Sequence, residues 1–177
     1  TNSGKSTLAC SLYTTLLLKG VAVAIVELDL WSDVHACILK RKPWQFRNKR
    51  PVINSAEFRQ RLWEFSANTT EIVIGDLPGR LDSFIPPVVE VADCNVLVAK
   101  DNCSVEDVKW GGVKEWGKFF CNHRTPLLAE AYSLLPGQRP VGRSISIKGL
   151  NRALVPLQPG VLELSSLLQE EAYKQRT

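Results

Sequence analysis

Three short runs in this sequence are largely apolar: Val21-Ala-Val-Ala-Ile-Val26, Glu71-Ile-Val-Ile74 and Cys94-Asn-Val-Leu-Val-Ala99. A strand with one wet face alternates apolar and polar residues, whereas a strand covered on both faces does not. Runs this short, bounded by turn residues, predict strands of a parallel sheet with helices packed on it. The intervening segments have helical spacing. Residues 5–19 carry Leu8, Leu12 and Leu16 with Ala9 and Tyr13 alongside, and stop at Gly20. Residues 55–65 start at a capping serine and place Phe58, Leu62 and Phe65 on one face. A short helix is expected over 32–39 and a longer one over 104–120, further strands over 127–132 and 144–147, and a closing helix over 160–174. Strand and helix alternate along the chain, which predicts an α/β fold of three layers around a mostly parallel central sheet. At 177 residues the chain is one domain of ordinary size.

Composition narrows the class. A 45% hydrophobic and 23% charged chain forms a packed core without staples. Its longest apolar stretches are interrupted by Lys19, Glu27, Glu90 and Asp93, so none reaches the roughly 20 residues of a membrane span. The five cysteines are scattered, odd in number and never spaced C-x-x-C. That pattern argues against a disulfide framework and a structural zinc site, and fits small buried side chains in a reducing cytoplasm.

The chemistry is concentrated at the amino end. Asn2-Ser3-Gly4-Lys5-Ser6-Thr7 is the second half of the pattern G-x-x-x-x-G-K-[ST], and a helix follows it at once. Gly4 allows the tight turn that points successive backbone N–H groups at one anion, with Asn2 and Ser3 contributing amides. The helix start adds partial positive charge beneath the phosphates. Lys5 is placed for the β- and γ-phosphates, Ser6 for a magnesium ion and Thr7 for the α-phosphate.

Two acids fall where phosphoryl chemistry needs them. Asp76 follows an apolar strand and is expected to hold magnesium through water, with the backbone N–H of Gly79 offered to the γ-phosphate. Asp29 ends the preceding strand and is the candidate to orient a nucleophile; Glu27 is the second choice. Parallel neighbours bring such strand ends together beside the loop. His35 and His123 have no acid or serine partner in the sequence and read as ordinary residues, as does Arg80. The loops 136–140 and 156–159 are turns or contacts to a base.

With these residues in place, the chain resembles the SIMIBI branch of P-loop NTPases. That branch includes the MinD/ParA ATPases, dethiobiotin synthetase-like enzymes and polynucleotide 5′-hydroxyl kinases. Thr1-Asn-Ser-Gly-Lys-Ser-Thr-Leu8 with Val26-Glu-Leu-Asp29 is similar to the kinase group, and Ala92-Asp-Cys-Asn-Val-Leu-Val98 to the MinD/ParA group. The resemblance implies ATP and Mg2+ as ligands, and either hydrolysis or transfer of the γ-phosphate to a hydroxyl acceptor. Its alternatives are a switch ATPase acting on a partner or homodimer, and a regulatory module with negligible turnover. Trp31 stands where the kinases have a Pro-Gly-Gln turn, and Thr1 and Asn2 replace the paired glycines of the MinD/ParA loop. Asp76-Leu-Pro-Gly79 is similar to the D-x-P-G run of GTPases, but no N-K-x-D follows, so the expectation is ATP.

Two features lie outside that chemistry. Lys40, Arg41, Lys42, Arg47, Lys49 and Arg50 share one segment with no acid and are interleaved with Trp44 and Phe46. Without these six the acids outnumber the bases, so the net charge of +4 is a local patch. It reads as a loop, either solvated or contacting nucleic acid or an acidic partner. The motif also lacks its first glycine and a preceding strand, which predicts a β-branched strand upstream of Thr1. That strand is expected to neighbour the strands at 21–26 and 71–74, and the 177 residues alone to bind ATP poorly.

Overall fold

The computed structural model describes residues 4–28, 44–45, 56, 60, 70–77, 91–98, 127–131, 143–145, 147, 154–174 and 177. Helix α1 covers Lys5–Leu18. Its expected stripe is buried, and so are Cys10, Ser11 and Thr15, so most of the helix circumference is covered. The helix ends where Gly20 takes φ 78°. There the N–H of Gly20 donates to the Leu17 carbonyl at 3.0 Å, and that of Val21 to the Leu16 carbonyl at 3.0 Å. Val21 packs on Leu16 in the same turn. This pair of bonds with its apolar contact is a Schellman stop, which needs a residue that accepts the left-handed conformation.

Strand β1, Val23–Glu27, leaves that turn. It pairs in parallel with β3, Ile72–Asp76, from Val23 opposite Ile72 to Glu27 opposite Asp76. The two strands expected to share a neighbour are therefore neighbours themselves, a correction that leaves no place for a strand between them. On the other edge of β1 lies β2, Trp44–Gln45, also parallel. Part of the basic segment read as a loop is thus a strand, held by backbone pairing at Val26 and Glu27. A second sheet contains β4 (Asn95–Val98), β5 (Leu127–Ala131) and β6 (Arg143–Ile145), all parallel, in the order β4-β5-β6. Helix α2, Pro159–Lys174, closes the fold, its proline at a first-turn position that needs no amide donor. Ala56 and Gln60 are the described residues of the helix expected over 55–65, and both are helical. The helices expected over 32–39 and 104–120 lie outside the described residues.

One core joins α1, α2, β3, β4 and β6. Leu8 and Leu12 of α1 pack with Val161, Leu164 and Leu167 of α2 and with Ile145 and Ile147, and Ile74, Val96 and Val98 lean on the same cluster. Ile74 also touches the clusters built on Ile25 and on Leu16. The helices are cross-tied as well. Lys19 Nζ donates to Ser165 Oγ at 2.7 Å, Ser166 Oγ at 3.2 Å and Gln169 Oε1 at 3.3 Å. The chain is α/β, with helices laid against short parallel strands. No helix among the described residues is long and apolar enough to cross a membrane.

Candidate functional site

Gly4 stands immediately before α1 with φ 91° and ψ 14°. That left-handed conformation would strain a residue carrying Cβ, and it is what turns the chain into the helix. The Gly4 carbonyl accepts the N–H of Leu8 at 2.8 Å, closing the first turn. Lys5, Ser6 and Thr7 supply the first-turn amides, for which a helix has no carbonyl of its own. No acidic residue lies in that turn, so the positive end of the helix dipole is not offset by a side chain of the turn itself. Lys5, Ser6 and Thr7 are half-buried.

The packing shows which end of the sheet this turn approaches. Leu16, near the carboxyl end of α1, meets Val21 and Ile72 at the start of the strands, where the turn at Gly20 hands the chain to β1. Helix α1 therefore runs opposite to β1 and β3, and its first turn lies at their carboxyl ends. Asp76 is the last residue of β3 and is 4% exposed. Its backbone carbonyl accepts the Leu28 N–H at 3.0 Å. Glu27 sits opposite Asp76 in the register. Two acids thus end adjacent strands at one level, at the same end of the sheet as Gly4-Lys5-Ser6-Thr7. Trp44 and Gln45 pair beside Val26 and Glu27, so this part of the basic segment joins the sheet at that end too.

Sequence spacing singled out Asp76 and ranked Glu27 second to Asp29; that Glu27 stands opposite Asp76 depends on the pairing register, which spacing does not give. Asn2, Ser3, Asp29, Gly79, Arg80, His35, His123 and the loop 136–140 lie outside the described residues. Segment 156–159, a candidate for base contact, lies instead along the middle of α1. The N–H of Val155 donates to Ser11 Oγ at 3.1 Å and that of Leu157 to Thr15 Oγ1 at 3.2 Å. Ser11 is six residues past Lys5, about 9 Å down the helix axis. Neither buried hydroxyl was marked by a pattern that scores apolar positions only.

Cys10 is fully buried in the core. Burial, with the negative charges of Asp93 and Glu171, pushes the Cys94 thiol up to about 11, so it stays protonated at neutral pH. Among the described residues no group of three or more His, Cys, Asp or Glu is arranged to hold a metal ion. No protein-family model matches the chain, and no curated protein matches it.

Proposed function

We propose that this chain is a P-loop NTPase domain that binds Mg·ATP and hydrolyses it or passes its γ-phosphate to a hydroxyl acceptor. One observation carries the proposal. The left-handed Gly4 opens a helix on Lys5-Ser6-Thr7 at the end of the sheet where the buried Asp76 closes β3. A helix start with bare amides and an adjacent ammonium is a site for a polyanion. A buried carboxylate at the same end of the sheet is suited to a cation that accompanies that anion.

In this reading the first-turn amides and Lys5 bind the phosphates and stabilise the charge that develops as the γ-phosphoryl group departs. Magnesium bound chiefly through nucleotide oxygens and water needs only one or two protein oxygens. Ser6 and Asp76 are the residues that would hold it, the hydroxyl directly and the carboxylate through water. Asp29 orients the attacking hydroxyl, and the three-layer SIMIBI-type fold is the scaffold. Calorimetric titration of the full-length protein with Mg·ATP and Mg·GTP tests this. Saturable ATP binding that Lys5→Ala weakens at least tenfold, about 1.4 kcal/mol, supports it. Equal ATP affinity in the variant would remove the loop from the site. A panel of hydroxyl acceptors then separates transfer from hydrolysis.

A further inference from the structure

Gly75 follows three β-branched residues in β3 and comes one residue before the buried Asp76. Glycine weakens a strand interior, so its presence here needs a physical reason. Backbone conformation does not supply one, because the glycines with positive φ among the described residues are Gly4 and Gly20. Space does. A Cβ built on Gly75 would lie 3.2 Å from Leu28 Cδ1, closer than the roughly 3.5–4.0 Å at which two carbons rest. The register explains the meeting. Val26 stands opposite Gly75, and Leu28 is two residues on from Val26, so alternation puts Leu28 and Gly75 on one face of the β1–β3 pair. Ile74 and Asp76 share the other face, where Ile74 packs with Ala9, Cys10 and Tyr13 of α1.

Leu28 is held at both its side chain and its backbone. The side chain is 4% exposed, which leaves it little room to swing away in a close-packed interior. Its N–H donates to the Asp76 carbonyl at 3.0 Å. A methyl group at position 75 would therefore push on the residue whose amide anchors Asp76. We propose that Gly75 is a positioning residue: it leaves the space in which Leu28 lies over β3, and so preserves the Leu28–Asp76 bond that sets where Asp76 ends the strand. Gly75 acts through Leu28 and Asp76, not by touching a ligand. The consequence for turnover rests on the Mg·ATP reading, in which Asp76 holds the metal through water. The steric pair itself does not.

The test is a double-mutant cycle in the full-length protein, with Gly75→Ala, Leu28→Ala and the two combined. Amide hydrogen exchange at positions 23, 25 and 28 is read without nucleotide, and kcat and nucleotide affinity are read with Mg·ATP. Gly75→Ala should speed exchange at position 28 by about tenfold and leave positions 23 and 25 unchanged. It should lower kcat by about tenfold and keep nucleotide affinity within about twofold of wild type. Added to Leu28→Ala, which removes the obstructing carbon, the same substitution should change none of these by more than about twofold. If Gly75→Ala alone does not fold, a folded pair supports the proposal and an unfolded pair overturns it. Equal effects in both backgrounds overturn it as well, as does unchanged exchange at position 28, or faster exchange with kcat at wild type. Nucleotide affinity lost in both backgrounds would assign Gly75 to close approach of the ligand instead, again overturning it. A wild-type protein that neither binds nor turns over ATP overturns the P-loop reading, while exchange at position 28 still decides the steric pair.

Discussion

The backbone N–H of Leu28 donates to the Asp76 carbonyl at 3.0 Å, carrying the β1–β3 ladder one residue beyond the Glu27–Asp76 pair. The bond fixes the level at which β3 ends relative to β1, at the end of the sheet that the first turn of α1 approaches. Asp76→Asn keeps the shape and the ladder but removes the charge. Nucleotide affinity should stay within a few-fold of wild type while turnover falls by about 100-fold, measured as steady-state phosphate release. Undiminished turnover would make Asp76 a strand-end acid only.

Asp29 and Glu27 compete for the role of orienting the nucleophile. Asp29→Asn should reduce turnover by at least about tenfold, as expected for a group acting on the attacking oxygen. Glu27→Gln should leave it near wild type. The reverse pattern would assign the role to Glu27, which the register already places opposite Asp76.

The segment before α2 depends on two hydroxyls that are wholly buried. Ser11→Ala or Thr15→Val leaves the N–H of Val155 or Leu157 without its acceptor. Each should destabilise the fold by about 1–3 kcal/mol, read as a lower denaturant midpoint at constant slope. Thr15→Ser, which keeps the oxygen, should retain most of the stability. Equal losses in Thr15→Ser and Thr15→Val would show that the methyl group matters and the hydrogen bond does not.

Cys94 adds a pH dependence. Its thiol is raised from 9.0 to about 11 in the folded chain, first by burial and then by Asp93 and Glu171. The folded state disfavours the thiolate, so this contribution to stability is complete below pH 9 and is lost as pH rises through about 11. Denaturant midpoints should therefore fall between pH 9 and 11 more steeply in wild type than in Cys94→Ala. Parallel profiles would contradict the raised thiol.

What the sequence made legible follows from where the signal is local. Leu8, Leu12 and Leu16 recur at helical spacing and Gly20 marks the stop, so α1 was readable to within a residue. Glu71-Ile-Val-Ile74 announced β3, although the strand starts at Ile72 and runs on through Gly75 to Asp76. Strand β2 was not readable, because Trp44-Gln45 is two residues among cations and prolines and exists through its pairing with Val26 and Glu27. Strand order was equally hidden. Val23 and Ile72 are adjacent because of tertiary packing, and nothing in either run names its neighbour. Ser11 and Thr15 escaped notice for a related reason, since a buried hydroxyl is explained only by the amide it accepts.

The sharpest measurement is a titration of Mg·ATP into isotope-labelled full-length protein, following the backbone amides of Gly4, Lys5, Ser6 and Thr7. Phosphates seated on the first turn of α1 should shift those four signals saturably, leave Val161 and Leu164 in α2 unmoved, and lose the effect in Lys5→Ala with the fold intact. Signals at Gly4–Thr7 that stay still while ATP binds elsewhere, or the same saturable shifts in Lys5→Ala, would contradict a phosphate site at this helix start.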